Sequence, residues 1–411
     1  QGGNDSTTLA LNLSHRQTGG INSRESGSAD DDGFENDTVA LSLNHQFTNR
    51  VSFSANYSRF DSTSDYDDGM VDIESQQLSA GFSVALTDSW NSSITIERFK
   101  EDNDDRSAFG TTQSKSENNK INWHNTLVLD NTNQFSFGLD HVEQELEYAN
   151  FGAVQTDTTR DNGGIYGVYL RDSALADLTL SLRHDDNERF GNQTTGSIAL
   201  GKDLSQNVRA WVSYGTAFKA PNLIDLYVDF PSFFFFANPN LKPETSENLE
   251  LGLQIQALGS QWKINAFRND IDDLIGSDST FTSLANVQKV RINGLEVSVE
   301  TLLAGWYLNA DLTILDHENQ STNQELLRRP NQTLTLNVAR SFGDYDFAVK
   351  VLAQSDHHDI DPMSFGPSMV GGFATTDVVL GYRLNEAMRF RLRVANAFDK
   401  DYQFVDGFYT Q

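Results

Sequence analysis

Three groups of side chains in this sequence have the type and spacing to do chemistry. The first is acidic. Asp30 and Asp32 stand two apart ahead of Gly33, which permits a sharp turn, so both carboxylates can address one cation. A calcium ion takes about 6–8 oxygen ligands, so two carboxylates need help from a neighbouring segment. Tyr66, Asp67 and Asp72 lie in the next long connection. The competing reading is a solvated acidic surface, the usual fate of charge runs. The second group is His357, His358 and Asp359, which are metal-ligating types. Adjacent histidines point apart on a strand, which favours a solvated loop over a metal centre. The third is Phe233, Phe234, Phe235 and Phe236. Such a run could form a platform for a flat ligand, but filling the loop's own core or touching the outer leaflet is favoured. The 8 histidines are scattered and show no local nucleophile–base signature, so an enzyme is not expected. Cysteine is absent, which excludes disulfides and thiolate metal sites.

The elements that position these groups read as strands. The net charge of -28 argues against a nucleic-acid partner. The acid collects in the connections: Asp30, Asp31, Asp32 and Glu35, then Asp61, Asp65, Asp67, Asp68 and Asp72, then Glu101, Asp102, Asp104 and Asp105. There is no apolar run long enough for a transmembrane helix. Alternation of period 2 is instead widespread. Trp306, Leu308, Ala310, Leu312 and Ile314 alternate with Tyr307, Asn309, Asp311 and Thr313. Leu178, Leu180 and Leu182 alternate with Thr179, Ser181 and Arg183. Met388, Phe390, Leu392 and Val394 alternate with Arg389, Arg391 and Arg393. An arginine at the bilayer midplane costs about 2–4 kcal/mol, so this ladder must face a wet interior.

The pattern predicts about 19 strands, each long enough to cross a bilayer with tilt. They fall near 7–15, 37–46, 50–59, 77–86, 89–98, 119–129, 133–142, 163–172, 176–185, 193–203, 206–215, 245–256, 260–270, 290–302, 304–316, 330–341, 344–354, 374–384 and 387–397. Short turns near 47–49, 87–88, 130–132, 173–175, 204–205, 257–259, 342–343 and 385–386 alternate with long loops near 16–36, 60–76, 99–118, 143–162, 216–244, 271–289, 317–329 and 355–373. Short periplasmic turns and long extracellular loops are the asymmetry of an outer-membrane barrel. The predicted fold is therefore all-β, a transmembrane antiparallel up-and-down β-barrel spanning residues 1–411 and contacting outer-membrane lipid. Trp90, Trp211, Trp262 and Trp306 fall near strand ends, where an aromatic girdle would sit. An odd strand count cannot close a bacterial single-chain barrel. The chain opens on a turn after Gln1 and ends in a loop at Gln411, so it reads as a piece with strands missing at both ends.

Several segments resemble the TonB-dependent receptor family. They are Tyr214 to Leu223 (YGTAFKAPNL), Asn238 to Glu250 (NPNLKPETSENLE), Phe267 to Ile275 (FRNDIDDLI), Val290 to Val297 (VRINGLEV) and Ala395 to Tyr402 (ANAFDKDY). The resemblance implies a barrel of about 22 strands around a plugged lumen, with this chain as strands 3 to 21. The family's plug, the peptide gripped by TonB and the last strand would lie outside it. Pro221 and Pro243 would fix the ends of a loop, Gly294 would relieve a crowded turn, and Asn396 and Asp399 would bond backbone at a turn.

Within the family, the cobalamin-receptor branch is most similar. The likeness is carried by Gly164-Ile165-Tyr166, the run from Arg183 to Gly191, Leu326-Leu327-Arg328-Arg329, Phe398 to Tyr402, Ala29 to Phe34, and Tyr66-Asp67. The Phe233–Phe236 run and the His357-His358 loop depart from it. The resemblance implies uptake of cobalamin, with an iron siderophore as the rival substrate and a passive porin as the rival class. It implies calcium held by Asp30, Asp32, Tyr66 through its backbone oxygen, Asp67 and Asp72. It also places Arg328 at the ligand face, where its fork can donate to corrin amides. The other reading of Arg328 is a lumen arginine paired with a carboxylate.

Overall fold

The computed structural model describes residues 2–24, 30–67, 69–278, 280 and 282–410. Among the described residues, one antiparallel sheet of 20 strands runs almost the length of the chain. Its strands are β1 (Gly2–Gly3), β2 (Thr7–Ile21), β3 (Asp32–Thr48), β4 (Val51–Tyr66), β5 (Gly69–Ala85), β6 (Trp90–Ser107), β7 (Gly110–Val128), β8 (Asn133–Asn150), β9 (Ala153–Arg171), β10 (Asp177–Asn187) and β11 (Gly191–Ser205). They continue as β12 (Val208–Lys219), β13 (Glu244–Ala257), β14 (Ser260–Ser277), β15 (Leu284–Leu303), β16 (Trp306–Asn319), β17 (Gln332–Phe342) and β18 (Tyr345–Gln354). A separate hairpin, β19 (His357–Ile360) with β20 (Pro367–Val370), sits in a loop. The sheet resumes with β21 (Phe373–Arg383) and β22 (Arg389–Val394). Every strand expected from alternation is present.

Cross-strand register explains why the chain folds this way. Residues directly opposite one another in an antiparallel pair share a face. Leu11 faces Leu41, Leu41 faces Tyr57, and Tyr57 faces Leu78. Farther round, Leu295 faces Ile314, Val338 faces Val349, and Leu380 faces Leu392. These pairs belong to an apolar outer surface, and many of its large side chains are exposed. Hydrocarbon favours that arrangement, because strands between the two edges of the sheet spend their backbone groups on their neighbours. The opposite face is polar. Arg183 donates to Asp140 at 2.6 and 2.9 Å and also to Asp185. Arg393 pairs with Asp377 at 2.6 Å and Arg389 with Asp346 at 3.9 Å. The arginine ladder of β22 thus faces the interior, as its desolvation cost requires.

The structure corrects several local expectations. Three of the eight long loops are largely strand. Strands β4 to β9 run far past the apolar belt, with tight turns at 108–109 and 151–152, so 99–118 and 143–162 are protruding hairpins, and β4 and β5 extend through most of 60–76. Gly294 is not in a turn. It lies mid-strand opposite Phe267, and a Cβ there would stand 2.2 Å from the Phe267 ring. The bare glycine lets that ring lie flat on the wall. Trp211 stands on the polar face over Gly252 and donates to Glu250 at 2.9 Å, so it is not a girdle residue. Trp306 is one, packed edge-on against Phe342 and Phe347 near a short turn. The backbone role of Asn396 is as expected: its side chain bonds both the N–H and the C=O of Lys400 at 3.0 Å. Gln1, Ala29, Asp68 and Gln411 lie outside the described residues.

Candidate functional site

The protruding hairpins form the outer mouth of the barrel, and their register sorts its charge. Asp61, Glu74, Asp72, Asp104, Lys115 and Glu147 share the face that lower down carries Tyr57, Leu78 and Ile96. They therefore point outward, away from the lumen. Many are paired there: Arg59 with Asp61 and Glu74 at 2.9 Å, Arg98 with Glu117 at 2.6 Å, and Lys115 with Glu147 at 2.8 Å. The opposite, lumen-side face carries Ser62, Ser64, Tyr66, Phe99, Asn118, Gln144, Leu146, Tyr148, Thr156 and Arg160. Most of the acid lies on the outside of the mouth; the inside is mainly neutral polar and aromatic, with Glu101 and Asp105 as acids on it.

The segment 220–243 folds across that inner face. Asn222 caps a short helix, α1 (Leu223–Tyr227), by accepting the Asp225 N–H at 2.7 Å. Leu223 and Val228 then bury against Leu146 and Tyr148 of β8, with Tyr227 and Phe230 packed on the edge. Phe230 meets Tyr148 edge-on at 5.8 Å. Burying such side chains contributes about 1.5–3 kcal/mol each. Thr156 donates to the Tyr227 carbonyl at 2.8 Å, and Asn238 ties the far end to Leu284 at 2.8 Å. Phe230, rather than the phenylalanine run, packs against this core. Phe234 and Phe236 are exposed, and the Phe233 side chain lies outside what the structure describes.

Two arginines hold this segment in place. Arg160 is buried and donates to Gln144 Oε1 at 2.6 and 3.1 Å and to the Pro221 carbonyl at 2.7 Å. Arg189 is exposed and donates to the Tyr227 hydroxyl and to the Pro239 carbonyl. Both guanidiniums lie over the Phe190 ring, at 5.9 and 5.7 Å from its centre. Burial pulls Arg160 below the ordinary arginine range; the Tyr227 phenol opposes this and the Arg189 charge adds to it. Arg189 and Phe190 stand in a segment singled out from the sequence, but neither arginine was. Arg160 lies in a hairpin read as a loop, and only the tertiary fold brings it to a residue 29 positions away.

The residues expected to bind calcium do not all converge. Asp32 accepts the Ser23 N–H at 2.8 Å, and Asp67, almost buried, lies 3.3 Å from Arg24. One strand of loop thus links these two, while Asp30 is exposed. Tyr66 faces the lumen side and bonds Asp105; burial and that carboxylate push its phenol up to about 12. Asp72 points the other way, bonded to Arg106 and to Thr63. Among the described residues, the carboxylate and imidazole atoms that come within 4.8 Å of one another as a trio belong to His15, Glu35 and Asp37, all exposed. The five expected ligands therefore do not form one shell in this structure, and Asp72 in particular is turned away from it.

Arg328 pairs with a carboxylate. Its Nε donates to Asp359 at 2.7 Å, and the Asp359 side chain is completely buried. Burial raises the Asp359 pKa, but the Asp406 N–H, the Arg328 guanidinium and the Ile360 N–H outweigh it and hold the group below its usual range. His357 is buried and bonds the Phe404 carbonyl at 3.2 Å, while His358 points the other way on β19 toward Glu325. The His357–Asp359 segment is thus not a solvated loop, and His357 and Asp359 both bond protein partners. It is the joint that locks 326–329, β19 and the chain after β22 into one block. That last segment also reaches the first loop, where the Tyr409 N–H donates to Ser23 at 2.9 Å.

A lipid-facing apolar belt, a polar lumen and a segment packed across the inner face of the mouth describe a large outer-membrane barrel. The family is shown directly: the description "TonB dependent receptor-like, beta-barrel" matches residues 1–397, and the chain belongs to the TonB-dependent receptors. Solved structures of similar fold include the siderophore receptor PirA from Acinetobacter baumannii, at TM-score 0.81 and 16% identity, covering 97% of this chain and 72% of that one. The copper transporter OprC is similar at TM-score 0.81 and 16% identity, over 98% of this chain and 71% of the other. The ferric-catecholate import receptor Fiu from Escherichia coli K12 is similar at TM-score 0.78 and 15% identity, over 100% and 76%. Receptors of this family bind scarce nutrients and interact with TonB, which sets them apart from the passive porins and barrel enzymes weighed from the sequence.

Proposed function

We propose that this barrel belongs to a receptor for a ferric siderophore. The observation that carries the reading is the sorting of charge at the mouth. Acidic tips argue against an iron chelate only if they face it, and here Asp61, Glu74, Asp72 and Glu147 point outward. The inner side instead presents Arg189, Phe190 and Tyr227 beside buried Arg160. The similar structures named as siderophore receptors support the same reading. The deep mouth suits a large ligand gripped by a few polar groups on broad contact area.

Cobalamin remains a second reading, favoured by the Arg183 to Gly191 and Leu326 to Arg329 segments. It has less support from the site, because Arg328 already spends its Nε on buried Asp359. Calcium ordering of the loops around Asp32 and Asp67 is compatible with either substrate. The deciding experiment is uptake by cells in which this receptor is the sole TonB-dependent route. TonB-dependent accumulation of iron from a ferric siderophore is expected. Accumulation of cyanocobalamin without any iron chelate would replace the siderophore reading with the cobalamin one.

A further inference from the structure

The outward face of the barrel carries an ordered layer of bases. On five successive strands that run from the short turns toward the mouth, a base stands two places beyond the last outward apolar side chain. They are His15 after Leu13 on β2, Arg59 after Tyr57 on β4, Arg98 after Ile96 on β6, His141 after Leu139 on β8 and His184 after Leu182 on β10. Register puts all five at one height. The row through His15 crosses Asp37 to Asp61, two residues mouthward of Arg59. The row through Arg59 crosses Gln76 to Lys100, two residues mouthward of Arg98. The row through Arg98 crosses Asn119 to Glu143, two residues mouthward of His141. The row through His141 crosses Gly163 to Asp186, two residues mouthward of His184. The bases thus step down by two residues for every two strands. Tilted strands impose such a stagger on any level ring around a barrel.

We propose that these bases form an acid-strengthened docking ring for the phosphate groups of the glycolipid that builds the extracellular leaflet of an outer membrane. The depth fits. The ring begins where the exposed apolar side chains Leu13, Ile96, Leu139 and Leu182 end, so acyl chains lie on these and headgroups meet the bases. The charge fits as well. The chain carries a net charge of -28, and carboxylates cover the outer mouth beyond the ring. An anionic leaflet touching that acid is repelled, and a basic layer at the contact depth removes the repulsion. Arg59 meets Asp61 and Glu74 at 2.9 Å, Arg98 meets Glu117 at 2.6 Å and His141 meets Asp161 at 3.5 Å. These carboxylates lie one row nearer the mouth, so they hold each base from that side and leave the other to the headgroup layer. Arg98 bonds Glu117 through Nη2, which leaves Nε and Nη1 for a phosphate. Histidine gains a proton between about pH 8 and pH 5. His141 stands between Ile121 and Gly163, with Asp161 beside it and Glu143 two places mouthward. His184 stands between Ile165 and Thr194, bonds the Thr194 hydroxyl at 2.8 Å and has Asp186 two places mouthward. Acidification therefore adds charge to the ring. The ring faces lipid rather than the lumen, so its occupant does not depend on which nutrient is taken up.

The test is lipid retention by the full receptor in detergent, read by native mass spectrometry. The probes are bisphosphorylated lipid A, its dephosphorylated form and phosphatidylglycerol. Wild type should retain bisphosphorylated lipid A most tightly. Arg98→Gln should weaken that retention about fivefold and Arg59→Gln/Arg98→Gln about 25-fold, the scale of one and two bases at a membrane surface. Arg16→Gln, at the same height but on the lumen face, should bind as wild type does. Lowering the pH from about 8 to about 5.5 should tighten binding in wild type, and His141→Gln/His184→Gln should remove that response. Heat-modifiable gel mobility checks that each variant is folded. Undiminished affinity in Arg59→Gln/Arg98→Gln, an equal loss in Arg16→Gln, or no preference for the phosphorylated form overturns the ring. Tighter retention of phosphatidylglycerol than of lipid A overturns the glycolipid as its occupant. A wild-type affinity that ignores pH, or a response that survives in His141→Gln/His184→Gln, overturns the part given to the two histidines.

Discussion

Leu146→Ala should release segment 220–243 without unfolding the barrel. Leu146 is fully buried on the lumen-side face of β8, against Leu223 and Val228. Its backbone stays in the β7–β8–β9 ladder whatever its side chain is. The truncation removes about 2 kcal/mol of transfer free energy by methylene counting. The residual cavity raises the total to about 2–5 kcal/mol. Nearly all of it falls on the packed state of the segment, because its small core has few other members. A loss of about 2 kcal/mol raises the open population roughly 30-fold. Hydrogen exchange reads this directly. The Val228 N–H is held by Ile224, the Phe230 N–H by Phe235, and the Asn238 N–H by Asp225, at 2.8–3.0 Å. All three should exchange about 30-fold faster in the variant, while β8 amides near Leu139 stay protected. Unchanged exchange at these three sites, or equal acceleration in β8, would refute the claim that Leu146 anchors a separately opening cover.

Three further outcomes are expected. Asp359 has a folded pKa held below that of the unfolded chain, so its contribution is fully present above about pH 4 and is lost as pH falls through the lower folded value; exchange of the Arg328 and Asp406 amides should accelerate on acidification, and Asp359→Asn should give the fast rate at neutral pH. Gly294→Val must displace the Phe267 ring, an overpacking cost of about 1–3 kcal/mol; the temperature of heat-modifiable unfolding should fall, and an undiminished value would show that the wall has room there. Calorimetry should find calcium binding in the wild-type receptor, lost in Asp32→Ala/Asp67→Ala but kept in Asp72→Ala, whose carboxylate is held by Arg106 on the outer face; absence of calcium heat in wild type would end the calcium proposal.

The all-β barrel was legible in the sequence because a strand's two faces alternate residue by residue, and lipid and lumen impose opposite polarity on them. Leu178, Leu180 and Leu182, or Arg389, Arg391 and Arg393, announce their faces without any knowledge of their neighbours. The alternation of short turns and long connections added the direction across the membrane. Above the lipid belt that signal fails, because both faces of a hairpin meet water. Segments 60–76 and 99–118 therefore read as acidic loops, although they continue as strands.

The remaining decisions belong to register and to long-range contact. Whether the Asp72 carboxylate could join those of Asp32 and Asp67 depended on parity within β5, which turns it to the outer face. Arg328 found its carboxylate 31 residues away on β19, and Arg160 and Arg189 met over one phenylalanine from separate strands and turns. Nothing local specifies these pairings. The sequence by itself determined which surfaces are apolar and how many times the chain crosses the membrane, because those follow from side-chain periodicity. Only the tertiary structure decided which charges face the ligand and which are spent on one another, because a pairing distance is set by the register of strands far apart in the chain.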